Sequence, residues 1–273
     1  MTILDEVQSA YQALPLAIRE ARNISLACVL EPLSNKAGCV TRQLDTNRNT
    51  LEMFLSGGIN IFPAYYHLTE YLQISQSPEG IYQFLNEAIL LSKLNRKGGQ
   101  INQGILEFSL PIVAAHVLYD PNSEQSPDFL FDKAREVVEL TTREDFLNFW
   151  KAKLAGRDIT FHGRGKTYEL FKHEVNSVAE YYDLELKREL ESGGHATGII
   201  HNIQFVESFP DIRHAFSAFE NASGRISERA EQAYNAVMTK PGNLGIGPGL
   251  VADFIAVSIY LALTYSKGEE IIS

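Results

Sequence analysis

Hydrophobic residues recur at intervals of three and four along most of the chain, the spacing that places them on one face of an α-helix. Val7, Ala10, Tyr11 and Leu14 begin this pattern. It continues in Ile24–Glu31, Leu51–Tyr71, Ile81–Leu94, Gln103–Leu118, Asp132–Leu140, Glu144–Leu154, Tyr168–Glu191, His201–Glu207, Pro210–Glu220, Ile226–Thr239 and Leu250–Ser266. Strict alternation of useful length, the mark of a half-buried strand, is missing from the sequence. The pattern predicts an all-α bundle of about ten helices.

Proline, glycine and polar residues mark where these helices end. Pro32 stops the helix that begins near Ile24, because the residue before a proline disfavours helical geometry. Gly57, Gly58 and Pro63 interrupt Leu51–Tyr71, which is therefore either one kinked helix or two helices. The polar segment near 120–128, DPNSEQSPD, predicts an exposed loop. The same helical pattern lies on both sides of it, so we predict a single domain over residues 1–273.

Composition is that of an average globular protein, with 45% hydrophobic and 21% charged residues. The formal net charge of -10 disfavours binding to nucleic acid, although a local basic pocket can still bind an anion. Cys28 and Cys39 are too few for a disulfide framework, and their spacing matches no metal site. We expect two buried or half-buried thiols.

The sequence carries no pattern typical of a secretory signal at its acidic, polar beginning. Its most apolar run, Phe254–Ser266, is shorter than the roughly 20 residues that a bilayer requires. We therefore expect a buried core helix there, no membrane partner and a cytoplasmic location.

Two loops combine glycine with groups that can bind anions. Ser34–Asp45 contains Lys36, Gly38 and Arg42, and two cations around a glycine can contact phosphate oxygens. The alternative is a solvated loop. Asn95–Gly104 has Asn102 at the N-cap position of the next helix, and a helix N-terminus can also bind an anion. A capped turn without a ligand is equally compatible with this segment.

Two further loops are candidates. His162–Lys166, HGRGK, alternates glycine with basic residues, but no following residue completes a motif, which favours a plain exposed loop. Lys240–Asp253 is rich in glycine and proline and leads into the most apolar helix. Asp253 falls in the first turn of that helix, where the helix dipole favours a carboxylate. It is either a structural residue or a contact for metal or ribose.

One helical segment offers a second acidic pair. Glu180 and Asp183 lie three residues apart and could hold Mg²⁺ together with phosphates, although an exposed charged face is the default interpretation. The histidines form none of the helical zinc motifs, and no nucleophile elbow occurs in the sequence.

The first of these loops carries a family resemblance. LACVLEPLSNKAGCVTR, Leu26–Arg42, resembles the opening signature L-A-x-x-L-E-x-x-x-x-K-P-G-x-V-x-R of the triphosphoribosyl-dephospho-coenzyme A synthase family. Lys36, Gly38, Val40 and Arg42 match this signature, and Ala37 replaces its proline.

Two later segments are similar to the same family, in the same order. GGQINQG, Gly98–Gly104, resembles the turn G-x-N-T-N-x-G. The matching residues are Asn102 and Gly104, whereas Gln100 and Ile101 differ. Leu244–Leu263 resembles the closing segment L-x-P-G-x-x-A-D and the apolar helix after it, with matches at Pro248, Gly249, Ala252 and Asp253.

The resemblance implies a transferase that uses ATP. It would transfer a triphosphoribosyl group to a ribose hydroxyl of 3'-dephospho-CoA, or of a related nucleotide-like acceptor, and release adenine, with Mg²⁺ on the triphosphate. The residues that it assigns to substrate binding are Lys36, Gly38, Arg42, Asn102, Gly104 and Gly249. Asp253 and Lys36 become the candidates for catalysis, and the candidate metal ligands are Asp253, Asp45, Glu180 and Asp183.

The stretch after the first motif departs from the family pattern. A His-x-Asp cluster is expected there, but Asp45 stands near the histidine position and Asn47 near the acid. This departure keeps two alternatives open. One is a related enzyme of tetrahydromethanopterin-type one-carbon cofactor biosynthesis, and the other is a non-catalytic helical protein that binds a small molecule. Buried helices such as Gln103–Leu118 could pack within a monomer or in a homodimer.

Overall fold

The computed structural model describes residues 3–46, 49–96, 101–156, 174–243 and 245–266. The fold is all-α, as predicted, with more helices than expected. The helices are α1 (Ile3–Gln12), α2 (Leu16–Leu30), α3 (Leu51–Asn60), α4 (Phe62–Ser75), α5 (Tyr82–Ser92), α6 (Gln103–Tyr119), α7 (Pro127–Glu139), α8 (Arg143–Gly156), α9 (Val178–Ser192), α10 (Ala196–Val206), α11 (Pro210–Asn221), α12 (Ile226–Met238) and α13 (Pro248–Tyr265). A short 3-10 helix, Glu31–Leu33, follows α2. Within the described ranges the only extended pairing is the isolated bridge between Thr41 and Leu44.

The segment with the glycine pair and Pro63 forms two helices, α3 and α4, rather than one kinked helix. The two helices meet at Ile61, and Pro63 occupies the first turn of α4, where its missing N–H costs nothing. Gly58 is required for packing, because a Cβ there would lie 2.9 Å from the Cβ of Cys28 on α2. Cys28 and Cys39 are both buried free thiols, as expected.

Several helices begin earlier or later than the hydrophobic pattern suggested. Helix α7 begins at Pro127 rather than at Asp132, because Ser126 caps it by accepting the N–H of Phe129 at 3.2 Å. Helix α10 begins at Ala196 rather than at His201. Helix α9 begins at Val178, although the pattern extended back to Tyr168, which lies outside the described residues. The predicted loop near 120–128 is present up to Ser126.

Helices α6 and α13 form the centre of the bundle, and nearly all of their side chains are buried. Helix α13 has 18 residues and a mean hydropathy of 1.5, so length and composition alone would allow it to cross a membrane. The apolar run Phe254–Ser266 covers only part of this helix, because the helix begins at Pro248. Because 78% of it is buried within the protein, α13 is a core helix, as the sequence predicted.

A buried polar contact fixes these two helices against α2. His116 Nδ1 on α6 lies 3.2 Å from Oε1 of Glu20 on α2, and the Tyr260 hydroxyl on α13 donates to the other oxygen of the same carboxylate. Buried charges are tolerated only with partners of this kind. The contact joins the C-terminal halves of α6 and α13 to α2.

Candidate functional site

A cavity of about 530 Å³ lies where the N-termini of α6 and α13 meet. Its wall also includes the Gly38–Val40 loop, Lys153 on α8, and Thr197 and His201 on α10. A cavity of this size is typical of sites for small molecules.

Asn102 occupies the N-cap position of α6, as predicted, but its side chain does not cap the helix. Its backbone is left-handed, with φ of 57°, a conformation that asparagine tolerates better than most residues. The residue is only 4% exposed, and within the part of the chain that the structure describes both its amide nitrogen Nδ2 and its oxygen Oδ1 lack a hydrogen-bond partner. Such atoms are costly to bury. Because Asn102 lines the cavity, a ligand could supply the missing partners.

Gly104 and Asp253 meet at the floor of the same cavity. A Cβ at Gly104 would lie 1.9 Å from Oδ2 and 2.6 Å from Cγ of Asp253, so only glycine allows this approach. The backbone N–H of Ile105 donates to the Asp253 carboxylate. The second and third family motifs therefore converge on one point, at the start of α6.

The Asp253 carboxyl has a pKa well above its usual range. Burial is the main cause, and the negative charges of Glu31 and Glu107 add to it, while the hydrogen bond from Ile105 opposes it. Three carboxyl groups thus line one cavity and repel each other.

Glu107 is the acid with the best-defined charge state. It is buried, which opposes ionisation, but Lys153 and His201 outweigh this and lower its pKa to about 2. Lys153 Nζ donates to Oε1 at 2.8 Å and to Oε2 at 2.6 Å, and His201 Nε2 lies 3.3 Å from Oε2. Gln103 Nε2 donates to Oε1 at 2.8 Å. The sequence reasoning missed these residues as members of a site.

Lys36 does not line the cavity, contrary to the role expected of a phosphate clamp. Its side chain is fully enclosed, and Nζ donates to the Glu31 carbonyl oxygen at 2.5 Å and to Oγ of Ser34 at 2.6 Å. The same nitrogen lies 3.0 Å from the carboxylate oxygen Oε1 of Glu31. Burial raises the pKa of Glu31, and the charge of Lys36 opposes that rise. The ammonium group is thus bound to internal acceptors.

Two predicted glycines do line the cavity. Gly38 has φ of 80°, and a Cβ there would lie 3.0 Å from Cγ of Pro248, so this loop and the start of α13 are in close contact. A Cβ at Gly249 would meet no atom within 4 Å, which means that its backbone faces open space.

The remaining predicted residues lie elsewhere. Arg42 and Asp45 are exposed and outside the cavity wall, and Asp45 Oδ1 accepts the N–H of Leu51 at 2.8 Å, at the start of α3. Glu180 and Asp183 are exposed on α9 and are not part of the wall. In the described ranges, no group of three or more His, Cys, Asp or Glu residues could hold a metal ion.

Asn47, the segment His162–Lys166 and the start of the second motif, Gly98–Gln100, lie outside the described residues. Of the four residues expected to surround one cleft, the structure brings Asn102 and Asp253 together and does not add Lys36 or Arg42.

Comparison with known proteins agrees with the motifs. The family model described as ATP:dephospho-CoA triphosphoribosyl transferase matches residues 18–241, which is most of the chain. The match includes the first two motifs and ends before the Pro248–Asp253 segment. Neither a curated protein nor a solved structure matches at a significant level. On the extent of the family match, the chain belongs to the ATP:dephospho-CoA triphosphoribosyl transferase family, a family of transferases.

Proposed function

We propose that the cavity at the start of α6 binds ATP and that the protein transfers its triphosphoribosyl group to a ribose hydroxyl of dephospho-CoA, releasing adenine. One observation carries the proposal. Asn102 and Gly104, which match a family motif, lie beside Asp253 in a single cavity, and no described residue pairs with the buried amide of Asn102. The family uses ATP as a substrate, which makes a nucleotide the natural occupant.

The reaction exchanges one bond at C1′ of the ATP ribose for another. The bond from C1′ to N9 of adenine breaks, and its electron pair leaves with the base. An oxygen of the acceptor hydroxyl forms the new bond to C1′, and the proton of that hydroxyl balances the departing base. Positive charge develops at C1′ during this exchange, as it does in glycoside hydrolysis.

The carboxyl groups of the cavity suit this chemistry. Glu107 is held ionised by Lys153 and His201, so it is a fixed negative charge that stabilises developing positive charge without moving. We assign Asp253 to a ribose hydroxyl or to Mg²⁺. We assign Lys36 no contact with substrate, because its ammonium group forms a buried salt bridge with Glu31.

Mg²⁺ fits the cavity through Asp253. Glu31 and Glu107 are paired with lysines, whereas the described contacts of Asp253 include no cation. Mg²⁺ needs only one or two protein carboxylates when substrate phosphates supply the other ligands. A bound ion would neutralise charge on the triphosphate. It would also remove the repulsion that Glu31 and Glu107 impose on Asp253.

A second candidate function is ribosyl transfer on a less anionic substrate, such as an intermediate of one-carbon cofactor synthesis. The cavity favours it in one respect. Three of the described lining residues are acidic, Glu31, Glu107 and Asp253, and the lysine among them, Lys153, already pairs with Glu107. A triphosphate finds few positive partners in such a wall.

Mass spectrometry of the purified protein with ATP, Mg²⁺ and dephospho-CoA distinguishes between the two candidate functions. Free adenine together with a coenzyme product heavier by one triphosphoribosyl unit is the expected result. Absence of adenine from protein that circular dichroism shows to be folded sinks this reaction and favours the second candidate. The same mixture without the protein serves as the comparison that releases no adenine.

A further inference from the structure

Several carboxamide atoms in the cavity wall lack hydrogen-bond partners among the described residues. They are Oδ1 of Asn49, Oδ1 and Nδ2 of Asn102, and Oε1 of Gln103. Asn102 and Gln103 are adjacent in the chain, and both are buried. Buried polar groups are nearly always paired, so neighbouring exceptions in one cavity indicate a ligand that pairs with them.

The orientation of the Gln103 amide is fixed by its neighbour. Its nitrogen donates to Oε1 of Glu107 at 2.8 Å, and Glu107 is ionised, so this carboxylate can only accept. The amide nitrogen must therefore point at Glu107. Oε1 of Gln103 therefore faces away from Glu107 as an unpaired acceptor. A flip of the amide would place Oε1 of Gln103 against the carboxylate oxygen of Glu107, and the two would repel each other.

The character of these atoms selects the part of a nucleotide that can pair with them. Three are acceptors and require N–H or O–H donors from a ligand. An ionised phosphate offers acceptors alone and would leave them unpaired. The 6-amino group of adenine offers donors, and a ring nitrogen beside it accepts from an amide nitrogen, a pairing that asparagine makes with adenine in other contexts.

We propose that Asn102 and Gln103 form the subsite that recognises the adenine base of ATP, with Nδ2 of Asn102 donating to a ring nitrogen and the Asn102 and Gln103 oxygens accepting from the 6-amino group. The inference rests on the proposed function, because it names the part of ATP that this end of the cavity binds. It also places the leaving group beside Glu107, which Gln103 contacts directly.

This subsite rejects purines that carry oxygen in place of the amino group. Inosine triphosphate has the same shape as ATP but presents an acceptor to the Gln103 oxygen, whose orientation Glu107 fixes. Sites built around a substrate N–H or O–H discriminate strongly against analogues that lack it. We expect ATP to bind at least about 100-fold more tightly than inosine triphosphate.

Titration calorimetry of the full chain with ATP, inosine triphosphate and 2′-deoxy-ATP tests the assignment. The variants are Gln103→Met, which keeps side-chain length, and Asn102→Gly, which suits the left-handed backbone. Gln73→Met, on the exposed face of α4, is the matched control. Gln103→Met should reduce the ATP preference to within about threefold by losing ATP affinity, Asn102→Gly should weaken binding of ATP, and the control should keep both the affinity and the preference.

Three results would overturn the subsite. One is an unchanged preference for ATP over inosine triphosphate in Gln103→Met, or an unchanged ATP affinity in Asn102→Gly. Another is discrimination against 2′-deoxy-ATP but not against inosine triphosphate, which would make this end of the cavity a ribose subsite. The third is no binding of ATP to the folded wild-type protein. Because affinity is measured without turnover, ATP preference without adenine release refutes the transfer reaction and leaves the base assignment standing.

Discussion

Replacing Gly104 with alanine should separate the function of the cavity from the stability of the fold. The new Cβ would lie 1.9 Å from Oδ2 of Asp253, whereas carbon and its non-bonded neighbours require about 3.5 Å. The carboxylate must therefore move by about 1.6 Å or more. It also loses the N–H of Ile105, its hydrogen-bond donor at the start of α6.

The expected cost to folding is small because two effects oppose each other. Alanine stabilises a helical position by up to about 1 kcal/mol relative to glycine. Loss of the hydrogen bond to Asp253 costs about 1–3 kcal/mol. The free energy of unfolding should stay within about 2 kcal/mol of the wild-type value. Catalysis is more sensitive, since a misplacement of about 1 Å can lower a rate by roughly 100-fold.

The assay compares urea unfolding with the rate of adenine release. Gly198→Ala is the matched control, because it also lies in the first turn of a helix, and its Cβ would meet Glu189 only at an ordinary 3.4 Å. The control should keep both its rate and its stability. If Gly104→Ala released adenine at the wild-type rate, the position of Asp253 would not matter and the site would be wrongly placed.

Three further outcomes follow from the charges and space around the cavity. Lys36→Met should lower the free energy of unfolding by about 3 kcal/mol, because it leaves Glu31 buried without its cation, and adding Glu31→Gln should restore most of the loss in urea melts. The pKa of Glu107 lies below its unfolded value, so its stabilisation is complete above about pH 4.5 and is lost as pH falls towards 2, a change of about 3 kcal/mol that acid titrations of Glu107→Gln should lack. Gly249→Ala should keep or slightly raise the melting temperature, because its Cβ meets no atom and alanine favours a helical position by up to about 1 kcal/mol, while ATP affinity should fall because the Cβ enters the cavity.

The periodic pattern was sufficient for the fold class and for the two central helices. The apolar composition of their segments identified α6 and α13 as buried, because a helix that is apolar on all faces packs in the core of a protein. Helix starts were less accurate. The Ser126-Pro127 pair is a start signal that precedes the hydrophobic pattern of α7, and the pattern alone placed the start five residues late.

The motifs identified several residues of the cavity wall, but they did not show which group each charged side chain contacts. The sequence places Lys36 two residues before Gly38, and either a ligand or an internal carboxylate could pair with its charge. The nearby Glu31 turned out to be its partner, which only the packing of the 3-10 helix against this loop reveals. The resulting salt bridge is internal to the segment that the first motif covers.

Glu107, Lys153 and His201 were missed because they come from three helices that are far apart in sequence. Each residue alone looks ordinary. One signal was available, however, since Glu107 is an acid in the otherwise apolar segment Gln103–Leu118, and a buried acid requires a partner. The sequence could have predicted that a cation contacts Glu107, but not which one, because that contact depends on how α6, α8 and α10 pack.

A crystal structure with an ATP analogue that lacks the ring oxygen, and so cannot release its base, tests the central claim most directly. The account predicts density for the analogue in the cavity, with adenine against Asn102 and Gln103 and the ribose near Asp253. Density for the analogue on another surface, with the cavity left to solvent, would contradict it.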